Sequence, residues 1–294
     1  MNVNTPGRQL LFSTVRVDNV AASGAVSTGT GFILFADLEN GHMCPLLVTN
    51  KHVVAHAARL SAHFIVRKPD TDEPNLGQGA EVTLPPNGYF GHPNPRVDIA
   101  VVPLAGILQQ FGAQLFMRAL PLSLLATEVA NLYVDAIEEI TFIGYPNGHR
   151  DPKHLTPIVR RGITATPLDL DMGGDPAFLV DGSVFGGSSG SPVFLFNDGS
   201  YRASDNGLTI GTRIVLVGIV SATMVRHAQL PIEAANAEHV KIAQELNLGV
   251  VFNARAIKET IEAFVTSAGE KLRTPDGGPL VSVDPVTEAS TPLT

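Results

Sequence analysis

A single cysteine, Cys44, stands in 294 residues, so no disulfide can form within the chain. That scarcity fits a reducing compartment. Charge is also sparse: 16% of residues are charged, with a formal net charge of -8. A general nucleic-acid binder needs a basic surface, and this balance argues against one. No apolar run approaches the roughly 18 residues that span a bilayer. The start, "MNVNTPGRQLLFSTVRVDN", lacks the basic segment and apolar stretch of a secretory signal. These absences lead to the expectation of a soluble, cytoplasmic protein without a membrane partner. Familiar site motifs are missing too. "HVVAH", with His52 and His56, lacks the acidic second residue of H-E-x-x-H, so no metal is expected. The Gly cluster at 186–190 has no Gly-Lys-Ser/Thr after it and is no phosphate loop. No cofactor is expected, and no internal repeat is visible.

What the chain does have is short strands. Apolar residues make up 44% of it, enough for a sizeable core. "LLFSTVRV", "GTGFILFA", "CPLLVTN", "HFIVRK", "DIAVVPL", "EITFIGYP", "RGITATP", "PAFLV", "SPVFLF" and "RIVLVGIVSA" are β-branched or aromatic-rich and end at turn residues. Many short strands with frequent turns predict antiparallel barrels or a sandwich. Two helices are predicted. One lies within "PIEAANAEHVKIAQEL". The other follows Asn253 as N-cap and sets Ile257, Ile261, Phe264 and Val265 on one face. After Ala268 the chain is rich in Pro, Gly and Thr, and 269–294 is expected to be a loose tail. Two β-rich halves, with 104–135 as connector, fit a pair of barrels.

The stretch "FGGSSGSPVF", residues 185–194, packs glycines and serines ahead of an apolar strand. It suits a surface turn. It equally suits a nucleophile in a tight loop whose backbone N–H groups face a reacting oxygen. A serine nucleophile needs a base, usually histidine, and the histidine needs a carboxylate. His52 sits just past the strand "LLVTN" and reads either as a structural histidine or as that base. Asp98 opens "DIAVVPL" and reads either as a strand-start cap or as the orienting carboxylate. The chain order His52, Asp98, Ser189 is that of chymotrypsin-type enzymes. "GSSGS" does not match the G-x-S-x-G elbow of α/β-hydrolases, because residue 191 is Ser.

These segments together resemble the trypsin-like serine peptidases of the chymotrypsin fold, and in particular the disulfide-free bacterial domains of HtrA/DegP type. "GTGFIL" is similar to the family's G-S-G-F strand, "VTNKHVV" to V-T-x-x-H-V and "DIAVVPL" to D-L-A-V-L. "ITFIGYPNG" is similar to I-G-Y-P-x-G and "GGSSGSPVF" to G-N-S-G-G-P. "VLVGIVSA" resembles the substrate-pairing strand, and "LGVVFNARAIKETIEAF" the closing strand and helix. The resemblance implies an all-β fold of two six-stranded antiparallel barrels with a C-terminal helix. It places one peptidase domain over 1–268, with barrels at about 9–103 and 136–252 and the closing helix at 254–266.

The resemblance also implies roles. Ser189 would be the nucleophile, His52 the general base and then acid, and Asp98 the group that orients His52. The N–H groups of Gly187 and Ser189 would form the oxyanion hole. Ser221, Ala222 and Thr223 would pair with a polypeptide substrate, and Ser183 and Val184 would line the specificity pocket. With no acid at Ser183, the implied preference is a small or medium apolar residue at the cleavage point. The implied activity is serine endopeptidase chemistry. A latent binding or scaffold protein on the same fold is the alternative. Residues 269–294 are too few for a PDZ module, and the oligomeric state is left unassigned. Two insertions, 197–214 and 225–247, are expected as a long loop and as a helix-bearing segment that either pads the scaffold or covers the cleft.

Secreted relatives in the family are activated when a freed N-terminal amine binds an aspartate just before the nucleophile. Here that position is Ser188, which carries no charge. The full-length protein is therefore expected to react with a fluorophosphonate without prior trimming. Labelling that starts only after N-terminal proteolysis would overturn this reading.

Overall fold

A computed structural model describes residues 3–204, 207–231 and 239–273. The chain opens with helix α1 (Pro6–Ser13), then strands β1 (Thr14–Ala21), β2 (Val26–Asp37) and β3 (Met43–Thr49), one helical turn α2 (Lys51–Val54), and strands β4 (Ala57–Arg67), β5 (Pro74–Leu84), β6 (Phe90–Gly91) and β7 (Ala100–Pro103). The connector holds α3 (Ala105–Phe111) and the short strands β8 (Leu115–Phe116) and β9 (Leu120–Pro121). The second half holds β10 (Glu139–Gly144), β11 (Ile158–Thr164), β12 (Ala177–Asp181), β13 (Pro192–Asn197), β14 (Ser200–Ser204), β15 (Gly207–Ile210), β16 (Arg213–Pro231) and β17 (His239–Asn253), and ends in α4 (Ala254–Ser267).

The first half is a barrel-like sheet in the order β5-β4-β1-β2-β3-β7-β6, with β8 added to β4 and β9 to β2. The second half is a closed six-stranded barrel, β10-β11-β12-β17-β16-β13. The architecture is thus the double barrel with a C-terminal helix that the family resemblance implies, and of the barrel and sandwich that the strand pattern allows it is the barrel.

Side chains alternate across a strand, so a strand buried on both faces reads as a continuous apolar run. That is why "GFILFA" and "LLVT" lack alternation. In β2, Phe32 and Leu34 face one core and Ile33 faces another. The Ile33 core fills the first sheet with Val17, Leu47, Leu60 and Leu84. The Phe32 core lies between the halves and joins Leu46 and Val101 to Phe194 and Leu216 of the second barrel. A third core, with Phe142, Phe178, Val193 and Val251, fills that barrel. Helix α4 seals the central core with Ile257, Ile261 and Val265, all buried. Burial of side chains of this size stabilises by roughly 1.5–3 kcal/mol each.

Three expectations change. The helix predicted within 231–246 is absent from the described residues: His239–Leu246 belongs to β17 and continues the antiparallel register, Val225 opposite Glu245 out to Pro231 opposite His239. The alternating "VKI" suits a strand, and cross-strand pairing outweighs the helix propensity of the Ala/Glu-rich stretch. Residues 232–238 lie outside the described residues. The loop expected at 197–214 contains the two-stranded ribbon β14–β15. Of the segment expected as a tail, Lys271 and Arg273 bond the end of β2, through Glu39 N–H to Lys271 O and Arg273 N–H to Asp37 O; residues 274–294 lie outside the described residues.

Asn253 caps α4 as predicted, its Oδ1 accepting from Ala256 N–H at 3.1 Å. Loss of such a cap costs about 1 kcal/mol. Asn253→Ala is expected to lower the melting temperature by about 2 °C in calorimetry; an unchanged value would show the cap to be idle.

Candidate functional site

The site lies where the two halves meet. β3 and β7 are hydrogen-bonded neighbours, with Thr49 opposite Ala100. His52 follows the end of β3 in α2, and Asp98 precedes β7, so two adjacent strand ends bring them together. His52 Nδ1 lies 2.5 Å from Asp98 Oδ2, and the His52 backbone N–H donates to Oδ1 at 3.1 Å. Asn50 Nδ2 donates to the Asp98 carbonyl at 2.6 Å and fixes that backbone. A third donor to the carboxylate comes from the other half: Ser221 Oγ, on β16, donates to Oδ2 at 2.8 Å.

Burial raises the Asp98 pKa, but the hydrogen bonds from His52 and Ser221 and the His52 charge outweigh it and hold the carboxyl below its ordinary value. Ser189 stands just ahead of β13, and its Oγ donates to the Ser221 carbonyl at 2.9 Å. Ser221 thus touches both sides of the site, its hydroxyl on Asp98 and its backbone carbonyl on Ser189 Oγ. Among the described residues no hydrogen bond joins Ser189 Oγ to the His52 ring.

The glycines of the 185–194 stretch now have a cause. Gly187 has φ +80, and a Cβ there would lie 2.5 Å from the Tyr145 carbonyl. Gly190 has φ +88, and a Cβ there would lie 1.8 Å from the Thr30 carbonyl. Left-handed backbone and close approach both demand glycine. The loop's carbonyls are tied back: Gly186 O accepts from Asn147 N–H at 2.6 Å, and Gly187 O accepts from Thr30 Oγ1 at 2.9 Å. The N–H groups of Gly187 and Ser189 take part in no hydrogen bond among the described residues.

A sequence profile of the trypsin-like peptidase domain matches residues 29–201. The chain belongs to the trypsin-like peptidase family. Among solved structures, it is similar to the Rv3671c protease from M. tuberculosis in its active form: 17% identity over 94% of this chain and 88% of that one, TM-score 0.45. It is also similar to the HtrA-type protease AlgW with tripeptide, at 15% identity, covering 89% of this chain and 62% of that one, TM-score 0.47. A third is the protease Anisep from Arthrobacter nicotinovorans, at 12% identity, covering 86% of this chain and 95% of that one, TM-score 0.46. No curated protein matches the sequence.

In this trypsin-like peptidase the remaining predicted residues fall as follows. Val184 is buried and packs on Gly249, where an added Cβ would lie 2.6 Å from Val184 Cγ2. Ser183 is exposed. Ser221 is buried, while Ala222 is exposed and Thr223 half-buried. β13 pairs with β16 only as far as Ile219, so among the described residues Ser221–Thr223 has a strand partner on one side only, β17. Among the described residues no cluster of three metal-ligating side chains occurs, and no helix is long and apolar enough to cross a membrane.

Thr30 and Thr49 were missed as site residues. Thr30 N–H donates to Ser189 O at 2.8 Å, and Thr49 Oγ1 donates to Thr30 O at 2.7 Å. Both are fully buried. Buried hydroxyls inside apolar strands were the available signal, since such groups need partners.

The Asp98 carboxyl supplies a pH test. Its folded pKa lies below the unfolded one, so the unfolded chain takes up the proton first on acidification. The stabilisation is complete above the unfolded value, about 3.9, and is lost as pH falls through the folded value. In urea unfolding, the wild type is expected to exceed Asp98→Asn in stability at pH 6, with the gap shrinking below about pH 4. A gap independent of pH would contradict the assigned shift.

Proposed function

We propose that the chain is a serine endopeptidase acting through an acyl-enzyme, with Ser189 as nucleophile, His52 as base and Asp98 as the group that orients His52. The observation that carries this reading is His52 Nδ1 held on the Asp98 carboxylate, with Ser221 touching Asp98 by its hydroxyl and Ser189 Oγ by its carbonyl, beside two loop N–H groups that are unpaired among the described residues. Asp98 on Nδ1 fixes the tautomer that leaves Nε2 free to accept a proton. Attack requires Ser189 Oγ to give up its bond to Ser221 O and turn to Nε2.

The steps then balance. His52 Nε2 takes the hydroxyl proton as Oγ attacks the peptide carbonyl. The oxyanion rests on the N–H groups of Gly187 and Ser189. His52 gives the proton to the amine as the peptide C–N bond breaks; it then takes a proton from water, which attacks the acyl carbonyl, and returns that proton to Ser189 Oγ as the acyl–oxygen bond breaks and the acid leaves. Each oxyanion donor contributes on the order of 10²–10³ in rate. The substrate is a polypeptide that adds as a strand along Ser221–Thr223, whose outer edge lacks a strand partner. Ser183 and Val184 bound the pocket for its side chain, a shape suited to a small or medium apolar residue.

A second reading has one observation in its favour. Ser189 Oγ is engaged by Ser221 O and not by His52, as in a latent or binding form. Intact-mass readout after fluorophosphonate treatment separates the two. The wild type is expected to gain one adduct, while Ser189→Ala gains none and His52→Ala slows by at least about 10²-fold. A folded wild type that gains no adduct would favour the latent form.

A further inference from the structure

Beside the loop stands a cation that the steps above do not use. Arg160 lies on β11, opposite Phe142 of β10. Paired residues on neighbouring strands share a face, and Phe142 is fully buried in the barrel core. Arg160 thus occupies the inward series of its strand, where an apolar side chain is the usual occupant. Its neighbour Arg161 takes the opposite face, exposed and ion-paired with Glu139. Arg160 has no such carboxylate among the described residues. Its guanidinium lies over the Phe142 ring at 4.6 Å, and its Nε is buried without a partner. Burial pushes its pKa down to about 10.

The remaining guanidinium bonds both go to one place. Nη2 donates to Ser188 Oγ at 2.7 Å, and Nη1 donates to the Ser183 carbonyl. Ser188 Oγ also accepts from Phe185 N–H at 3.2 Å. One side chain therefore clamps both ends of the 183–188 segment from behind. The front of that segment carries the N–H groups of Gly187 and Ser189. We propose that Arg160 is a positioning residue, a permanent internal cation that holds the 183–189 loop in the form that presents those N–H groups. The inference rests on the reading of Gly187 and Ser189 as oxyanion donors. It goes beyond that reading by assigning the loop's order to one strand-borne guanidinium.

The pairing accounts for two oddities together. A half-buried guanidinium without a carboxylate is costly unless neutral acceptors satisfy it. A serine hydroxyl that accepts two hydrogen bonds inside a tight turn is an unusual anchor for a loop of glycines, unless the donor is strong. Charge-assisted bonds are the shorter and stronger class.

The test uses Arg160→Met, which keeps length and packing on Phe142, together with Arg160→Lys and Ser188→Ala in the full chain. Fluorophosphonate labelling is expected to slow by roughly 10²-fold in Arg160→Met, the size of effect produced by a small misplacement of reacting groups. Arg160→Lys is expected to recover part of the rate. The double variant Arg160→Met/Ser188→Ala is expected to be no slower than the slower single one, because both remove one strut. In parallel, amide exchange is expected to quicken across 183–189 in each variant while the barrel strands stay protected.

Exchange reads the loop whether or not the wild type labels, so silence of the wild type would defeat the proposed function and leave the strut to be judged by exchange. Unchanged loop exchange in Arg160→Met overturns the strut. So does labelling at the wild-type rate: the probe carries no carboxylate, and that result would give Arg160 to recognition of an acidic substrate side chain. If Arg160→Met fails to fold, Arg160→Lys and Ser188→Ala carry the same two readouts.

Discussion

The site depends on one close approach. The Thr30 carbonyl of β2 comes so near Gly190 that a single methyl there would overlap it at 1.8 Å. His52 and Asp98 stand on the first sheet, Ser189 and Ser221 on the second barrel. Nothing covalent near the site fixes their separation. Thr30 does so with three bonds across the seam: its N–H donates to Ser189 O, its Oγ1 donates to Gly187 O, and Oγ1 accepts from Tyr145 N–H; its own carbonyl is held by Thr49. Hydrogen bonds are short and directional, so they set relative position more sharply than apolar packing does. The central core beneath, with Phe32, Leu46, Phe194 and Leu216, supplies the driving force, and the threonines set the register.

The same logic explains the mixture of glycine and serine in the loop. Glycine answers close approach and left-handed backbone at Gly187 and Gly190. Serine answers the need for hydroxyls at two depths. Ser188 is fully buried and turns its hydroxyl toward Arg160, while Ser189, next in sequence, turns its hydroxyl toward Ser221. Adjacent residues in a tight turn face opposite ways, so one holds the loop from behind while the other meets the cleft.

The sequence shows features that are local or periodic. The strands, the Asn253 cap and the apolar face of α4 follow from composition and period alone. His52, Asp98 and Ser189 are legible because each sits at the end of a strand that the pattern already marks. The segment 239–246 is not legible as strand, because its helix propensity is locally reasonable and only pairing with Val225–Pro231 decides otherwise. The bond from Ser221 to Asp98 joins residues 123 apart and leaves no pattern. Arg160 is hidden for another reason: "VRRGIT" reads as a strand with two solvated arginines, and only the register with Phe142 shows that one of them faces inward.

That inward arginine bears on how order is built in the 183–189 loop. An aspartate at position 188 would give Arg160 a full counter-charge, but a buried ion pair must recover the desolvation of two ions. With Ser188, only one charged group loses water, and neutral acceptors satisfy it at two points. The uncompensated positive charge then remains behind the loop, and its field at Ser188 favours negative charge developing on the far side. The neutral serine thus does two things at once: it limits the cost of burying the strut and leaves the cation's field unquenched where an oxyanion would form.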